Sequence, residues 1–362
     1  MNLNGNIMSK DKMAARVENG VIVDFDAKLL PLYLLKTKDV AQWLSDRAID
    51  SHRTNSRLLK KALRLGNTDD LDVVLRVHAA TITDTYWFKK DGEELSYDDV
   101  RFKENQFDKL ALCGDPDSFD KDYRPTPELT NIGSYEKCWR LLDGKWWMVK
   151  SGNENELFSE LFIYHFGKRL GFNMAVYEPD DKYVKSIDFT DGASVNFESA
   201  AGLVLGNEDY AFNFRAFFEI SEAIAKQYVE MLYLDTLCNN MDRHTQNYGV
   251  LRDTESGEIL SLAPVFDHNI ALIARGMPSL DRKSNRLIGL FIEFLNSTPD
   301  AMRIFRSLEL PPIDETLIRQ CCEEVPIKTD TDFICRYIMN GEQRIQEETE
   351  SCMEETNQMT LE

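Results

Sequence analysis

Leu58, Leu59, Ala62 and Leu63 fall on one stripe of the segment from Arg57 to Leu63, with Arg57, Lys60, Lys61 and Arg64 outside it. That spacing predicts a short amphipathic helix, capped by Asn55 or Ser56. Residues 1–125 read as a mostly helical module. The turn formers Gly114, Pro116, Pro125 and Pro127 then mark a linker from Cys113 to Pro127.

The period changes beyond it. Glu136 to Leu142 and Lys145 to Lys150 predict two strands joined at Asp143-Gly144, a dipeptide suited to a tight hairpin turn whose central residues need positive φ. Asn155 to Leu170 predicts a helix stopped by Gly171. Strand-like pieces come next at Met174 to Tyr177, Tyr183 to Phe189 and Ala193 to Phe197. A long buried helix starts at Ser221 and runs through Ala225, Tyr228, Met231, Leu232 and Leu237. Two more strands, Tyr248 to Arg252 and Ile259 to Leu262, flank a turn, and helices resume up to a polar tail.

Composition narrows the classes. With 43% hydrophobic and 29% charged residues, the chain has enough apolar surface to build cores. Its 62 acidic against 42 basic residues give a net charge of −20, which repels nucleic acid and anionic membrane. The most basic stretch, from His52 and Arg53 through the first helix, reads as a solvated face rather than a nucleic-acid contact. Seven cysteines without a CxxC spacing fit reduced thiols better than disulfides or zinc. No membrane span or signal peptide is visible, so the expected location is cytoplasmic.

The chemistry concentrates where the long helix meets the second hairpin. Cys238-Asn239-Asn240-Met241-Asp242-Arg243-His244-Thr245-Gln246-Asn247 places an aspartate five residues before an asparagine, the spacing of a kinase catalytic loop. Phosphoryl transfer is mostly positioning and charge stabilisation. It needs a carboxylate near the nucleophile and a neutral oxygen ligand for a hard cation. Just past the hairpin, Phe266-Asp267 offers a second metal-binding oxygen donor. Lys150 ends the apolar strand Trp146-Trp147-Met148-Val149 and can reach ATP phosphates, with Glu154, Glu156 and Glu160 as candidate partners. The turn Thr130 to Lys137 has one glycine, so it is neither a Walker loop nor GxGxxG.

Together these residues resemble the HipA-like serine/threonine kinase family over roughly residues 128–345. Gly133-Ser134-Tyr135-Glu136-Lys137 is similar to that family's G-x-x-x-K loop, Asp242 to Asn247 to its D-x-H-x-x-N loop, and Phe266-Asp267 to its metal aspartate. The resemblance implies an α+β, divergent protein-kinase-like two-lobed fold after the module at 1–125. The β-rich small lobe covers 126–206, the larger helical lobe 207–345, and the tail 346–362.

The resemblance also implies an ATP- and Mg2+-dependent protein kinase. Asp242 is then the base, Lys150 paired with Glu160 orders the ATP phosphates as a second catalytic residue, and Asn247 and Asp267 are metal ligands. Gly133, Ser134, Lys137, Lys150 and Glu160 are nucleotide-binding, and His244 is structural to the loop. A hydroxyl residue three positions before the loop glycine is a phosphorylation site in that family, which marks Thr130 for self-phosphorylation. The expected partners are a protein substrate and a regulatory, antitoxin-like protein, with no direct nucleic-acid or membrane contact. The family's toxins begin with a small β-rich module, a departure from the helical reading of 1–125. A small-molecule or lipid kinase of the same fold uses the same ATP residues, and a nucleotide-binding protein without catalysis is the alternative outside enzymes.

Overall fold

The computed structural model describes residues 3–65, 69–120 and 124–359. The chain divides into two compact units. Unit 1 holds the residues up to Gly152, Asp180–Gly206 and Gly249–Ala263, and unit 2 holds Asn153–Pro179, Asn207–Tyr248 and the residues from Pro264 onward.

Unit 1 begins with strands β1 (Gly5–Ser9), β2 (Lys12–Glu18) and β3 (Val21–Phe25), followed by helices α1 (Leu32–Thr37), α2 (Val40–Ser45), α3 (Ser56–Ala62) and α4 (Asp70–Val74). Then come β4 (Tyr86–Lys90), α5 (Tyr97–Val100) and α6 (Asp108–Cys113). The helices agree with the spacing in residues 1–125. The antiparallel sheet β3-β2-β1-β4 is an addition that periodicity does not announce.

Residues 1–125 are not walled off from the hairpin residues beyond them. Met8, Leu59, Leu63, Trp87, Phe102, Phe107 and Leu110 share one apolar core with Leu129, Trp139 and Trp146. Each large side chain so buried stabilises the unit by about 1.5–3 kcal/mol.

The hairpin of β5 (Lys137–Leu142) and β6 (Lys145–Lys150) forms as its turn residues dictate. Asp143 and Gly144 sit at φ 50° and 78°, the left-handed region required at both centres of a two-residue turn. β6 also pairs with β8 (Tyr183–Ile187), and β7 (Tyr177–Asp180) carries the chain across the division between units.

A third sheet joins β9 (Val195–Ser199), β10 (Gly249–Asp253) and β11 (Ile259–Leu262) in the order β11-β10-β9. The hairpin after the Asp242 loop therefore lies in unit 1, not among the helices that flank it in sequence. Buried Arg252 holds it there, donating to Glu198 Oε1 (3.0 Å), Leu30 O (2.7 Å) and Lys28 O (2.9 Å). The short α8 (Ala200–Val204) also belongs to unit 1.

Unit 2 is helical: α7 (Glu154–Arg169), α9 (Tyr210–Ile220), α10 (Glu222–Cys238), α11 (Arg286–Ser297), α12 (Pro299–Arg306), α13 (Glu315–Glu323) and α14 (Thr331–Met359). α10 is its spine. Tyr233 on α10 meets the ring of Phe305 at 5.3 Å and that of Phe291 at 6.1 Å, and Phe158, Phe162 and Phe166 stack along one face of α7. α14 continues through residues 346–359 of the expected tail, with Gln343–Glu347 and Glu342–Gln346 pairs at helical spacing along its way.

Candidate active site

The chain leaves α10 through Asn239, whose φ of 53° closes the helix; asparagine tolerates that left-handed conformation better than most residues. The loop beyond it bonds to itself. Asp242 N–H donates to Asn240 Oδ1 (3.3 Å), and His244 N–H donates to Asp242 O (2.8 Å). Asn247 N–H donates to His244 O (2.8 Å), and Asn247 Nδ2 donates to Asp242 O (2.9 Å). His244 thus serves the loop through its backbone, and its Nδ1 also accepts Gln246 N–H at 3.3 Å.

Arg243 braces this loop to the next motif. Its buried guanidinium donates to Asp235 on α10, to Phe266 O (2.6 Å) and to Asn247 O, and its Nη2 lies 3.0 Å from His268 Nε2. Spacing arguments assign neither Arg243 nor Asp235 a role. The signal was present as an arginine between two chemically assigned positions, but two of its acceptors are backbone carbonyls, which carry no sequence signature.

Asp267 sits at φ 65°. Its N–H donates to Tyr177 Oη (3.1 Å), and Val265 bridges in parallel to Met174, fixing the segment that delivers it. On α7, Glu160 is buried, and its Oε2 accepts His268 N–H at 3.2 Å. Glu156 closes the N-terminal capping box of α7 with Asn153, and Glu154 faces solvent. Unit 2 therefore gathers Glu160, Asp242, His244, Asn247 and Asp267 around Arg243 and His268.

Burial pushes the half-buried Asp242 carboxyl above its ordinary range; the His244 ring opposes that, and the nearby Asp267 charge adds to it. Asp242 and Asp267 sense each other's charge, and Asn247 Nδ2 is committed to Asp242 O, which leaves Asn247 Oδ1 as an oxygen donor of the kind a hard divalent cation prefers. Asp267 and Asn247 Oδ1 are the residues that would hold magnesium.

Unit 1 carries the other predicted residues. Lys150 is buried at the end of β6 and lies directly opposite Lys137 in the β5–β6 register. The pairing sets the two lysines side by side on the strands where the glycine loop enters the hairpin. Gly133, at φ 107°, lies under the Lys137 ammonium: a Cβ there would stand 2.5 Å from Lys137 Nζ. Ser134 is exposed on the same loop. Thr130 is buried in a 3₁₀ turn (Pro127–Thr130), where its hydroxyl donates to Ala80 O at 2.7 Å.

Arg57, Lys61 and Arg64 on and beside α3 are exposed, as a solvated helix face requires, but Arg53 before it is not part of that face. It is 1% exposed, because backbone carbonyls distant in sequence converge on its guanidinium.

No family model matches the sequence, and no curated protein matches it. Among solved structures, the fold is similar to that of HipA from the Shewanella oneidensis MR-1 toxin–antitoxin system, solved with HipB and operator DNA. The TM-score is 0.57 at 15% identity, over 95% of this chain and 97% of that one. The proinflammatory kinase CtkA of Helicobacter pylori aligns with a TM-score of 0.49 at 19% identity, over 61% of this chain and 95% of that one. The chain has a HipA-like fold, and the likeness to HipA includes the N-terminal residues.

Proposed function

We propose that this chain is an ATP- and magnesium-dependent serine/threonine protein kinase. The observation that carries the reading is the cross-braced loop of unit 2. One buried arginine, Arg243, ties the backbone of Asn247 to that of Phe266, so that Asp242, Asn247 and Asp267 are held by a common support. Asp242 orients the acceptor hydroxyl and takes its proton, and its raised affinity for protons suits that task. Magnesium, when bound, neutralises charge on the phosphates being transferred. Lys137 and Lys150 bind phosphate oxygens, and Gly133 and Ser134 let the loop backbone approach them closely.

The HipA-like fold across residues 1–125 supports a regulatory, antitoxin-like protein partner for a cytoplasmic enzyme. The net charge of −20 argues against direct DNA contact by this chain. No helix among the described residues is long and apolar enough to cross a membrane. Thr130 is the proposed self-phosphorylation site. Its buried hydroxyl means that modification requires the 127–130 turn to open, and a phosphate of about −1.5 to −2 charge cannot return to that pocket. The phosphorylated and folded states of the loop then exclude each other.

Incubating wild type and Asp242→Asn with γ-labelled ATP, magnesium and lysate tests the reading. The expected result is label on proteins with wild type alone. Label confined to small molecules would replace the protein acceptor with a metabolite or lipid. ATP binding without any transfer would leave a nucleotide-binding protein.

A further inference from the structure

One buried guanidinium from the N-terminal residues holds both ends of the glycine loop. Arg53 Nη1 donates to Asn131 O at 3.0 Å and Arg53 Nη2 to Lys137 O at 2.5 Å, on either side of Gly133 and Ser134. The attachment is reinforced alongside. Ile49 N–H donates to Leu129 O (2.9 Å), and Asn55 N–H donates to Glu136 Oε1 (3.2 Å). Arg53 is itself placed by a tight turn, its N–H bonded to Asp50 O and its carbonyl accepting Ser56 Oγ at 2.7 Å.

The counter-charge is Glu128, wholly buried 3.9 Å from Arg53. Its carboxylate accepts from Asn105 Nδ2 (2.8 Å), Asn131 Nδ2 (2.9 Å) and Trp139 N (2.7 Å). A buried arginine with one paired acid and two carbonyl acceptors is costly to assemble. A hydrophobic side chain would fill the volume at lower cost, but it could not span two carbonyls. Only the planar fork of arginine presents donors to both at once while staying charged.

We propose that Arg53 is a positioning residue for phosphate binding: it fixes the separation and direction of the two ends of the 131–137 loop, making the nucleotide site dependent on the N-terminal residues. The inference rests on the kinase reading. It extends that reading by giving residues 1–125 a part in nucleotide binding through a residue that itself touches no nucleotide. Any displacement of residues 49–55 would loosen the loop from below.

The test compares wild type, Arg53→Lys and Arg53→Gln. Lysine keeps the charge facing Glu128 but cannot bridge both carbonyls, so it separates clamping from charge balance. Amide hydrogen exchange of residues 131–137 is measured on the nucleotide-free protein, and ATP dependence is measured in the transfer reaction. Thermal unfolding of each variant establishes that it is folded. The expected result for Arg53→Lys is faster exchange in the loop and a KM for ATP raised about tenfold, the loss of one charge-assisted hydrogen bond. kcat should change far less, and Arg53→Gln should be affected at least as strongly. Unchanged loop exchange in both folded variants overturns the proposal, as does an unchanged KM in a wild-type-like kinase. Failure of wild type to bind magnesium-ATP, with loop exchange accelerated in the variants, sinks the kinase reading while the clamp stands.

Discussion

Arg243 Nε lies 2.7 Å from Asp235 Oδ2, and Arg243 Nη2 lies 3.1 Å from Asp235 Oδ1, a bidentate pair with both side chains almost completely withdrawn from solvent. The same guanidinium reaches Phe266 O and Asn247 O. The pair therefore couples the stability of unit 2 to the arrangement of its carboxylates. Asp235→Asn leaves a buried cation without its counter-charge, a change that costs about 3–5 kcal/mol. Denaturant unfolding should show a matching drop in midpoint. A shift under about 1 kcal/mol would mean that the guanidinium is solvated in the native protein.

Asp242→Asn removes the proposed base and leaves the loop backbone bonds in place, since those run through the Asp242 main chain. Phosphate transfer should fall by about 10²–10⁴-fold, with ATP affinity within a few-fold of wild type. Near-normal turnover in single-turnover kinetics would remove Asp242 from the chemistry.

Asp267 has a backbone conformation that asparagine also tolerates. Asp267→Asn therefore tests charge alone, whereas Asp267→Ala adds backbone strain. Titration of ATP at several magnesium concentrations should show that the asparagine variant has lost most of its magnesium-linked affinity without a large change in melting temperature. Identical magnesium dependence in variant and wild type would show that Asp267 holds no cation.

Burial pushes the Glu128 carboxyl up to about 7, against the opposing pull of Arg53 and of the hydrogen bonds from Asn131, Trp139 and Asn105; the buried Cys138 thiol is the other titratable group that senses it. The native state then holds a proton that the unfolded chain releases near pH 4.5. Its stabilising contribution is full below that pH and is lost as pH rises toward 7. Glu128→Gln should flatten this part of the stability curve, read as the difference between variant and wild-type unfolding free energies from about pH 4.5 to about pH 7.5. Parallel curves would place the Glu128 carboxyl in the ordinary range.

Prolonged incubation with ATP and magnesium should place phosphate on Thr130 in wild type and not in Asp242→Asn, as read by mass spectrometry. Because the hydroxyl is bonded to Ala80 O, the modified protein should also show faster amide exchange across residues 127–137. An active kinase with Thr130 unmodified would remove self-inactivation from the scheme.

Some of this molecule is legible from local pattern. The β5–β6 hairpin follows from Asp143-Gly144, because positive φ at two consecutive residues is a demand that few dipeptides meet. Asn19-Gly20, at φ 51° and 81°, sends the same signal between β2 and β3. Periodicity does not extract those strands, because β3 faces solvent at most positions and so lacks alternation.

Local residue order suffices for α7 and α10, the central hairpin and the spacing of Asp242 to Asn247, since each depends on residues within one turn or one loop of each other; it does not mark α9 or carry α14 past residue 345. Long-range packing was needed to pair β10–β11 with β9, to bury Thr130 and to make Arg53 a clamp rather than a surface charge. Arg53 meets carbonyls 78 and 84 residues away. Every residue has such a carbonyl, so only the folded backbone determines which of them converge on a buried guanidinium.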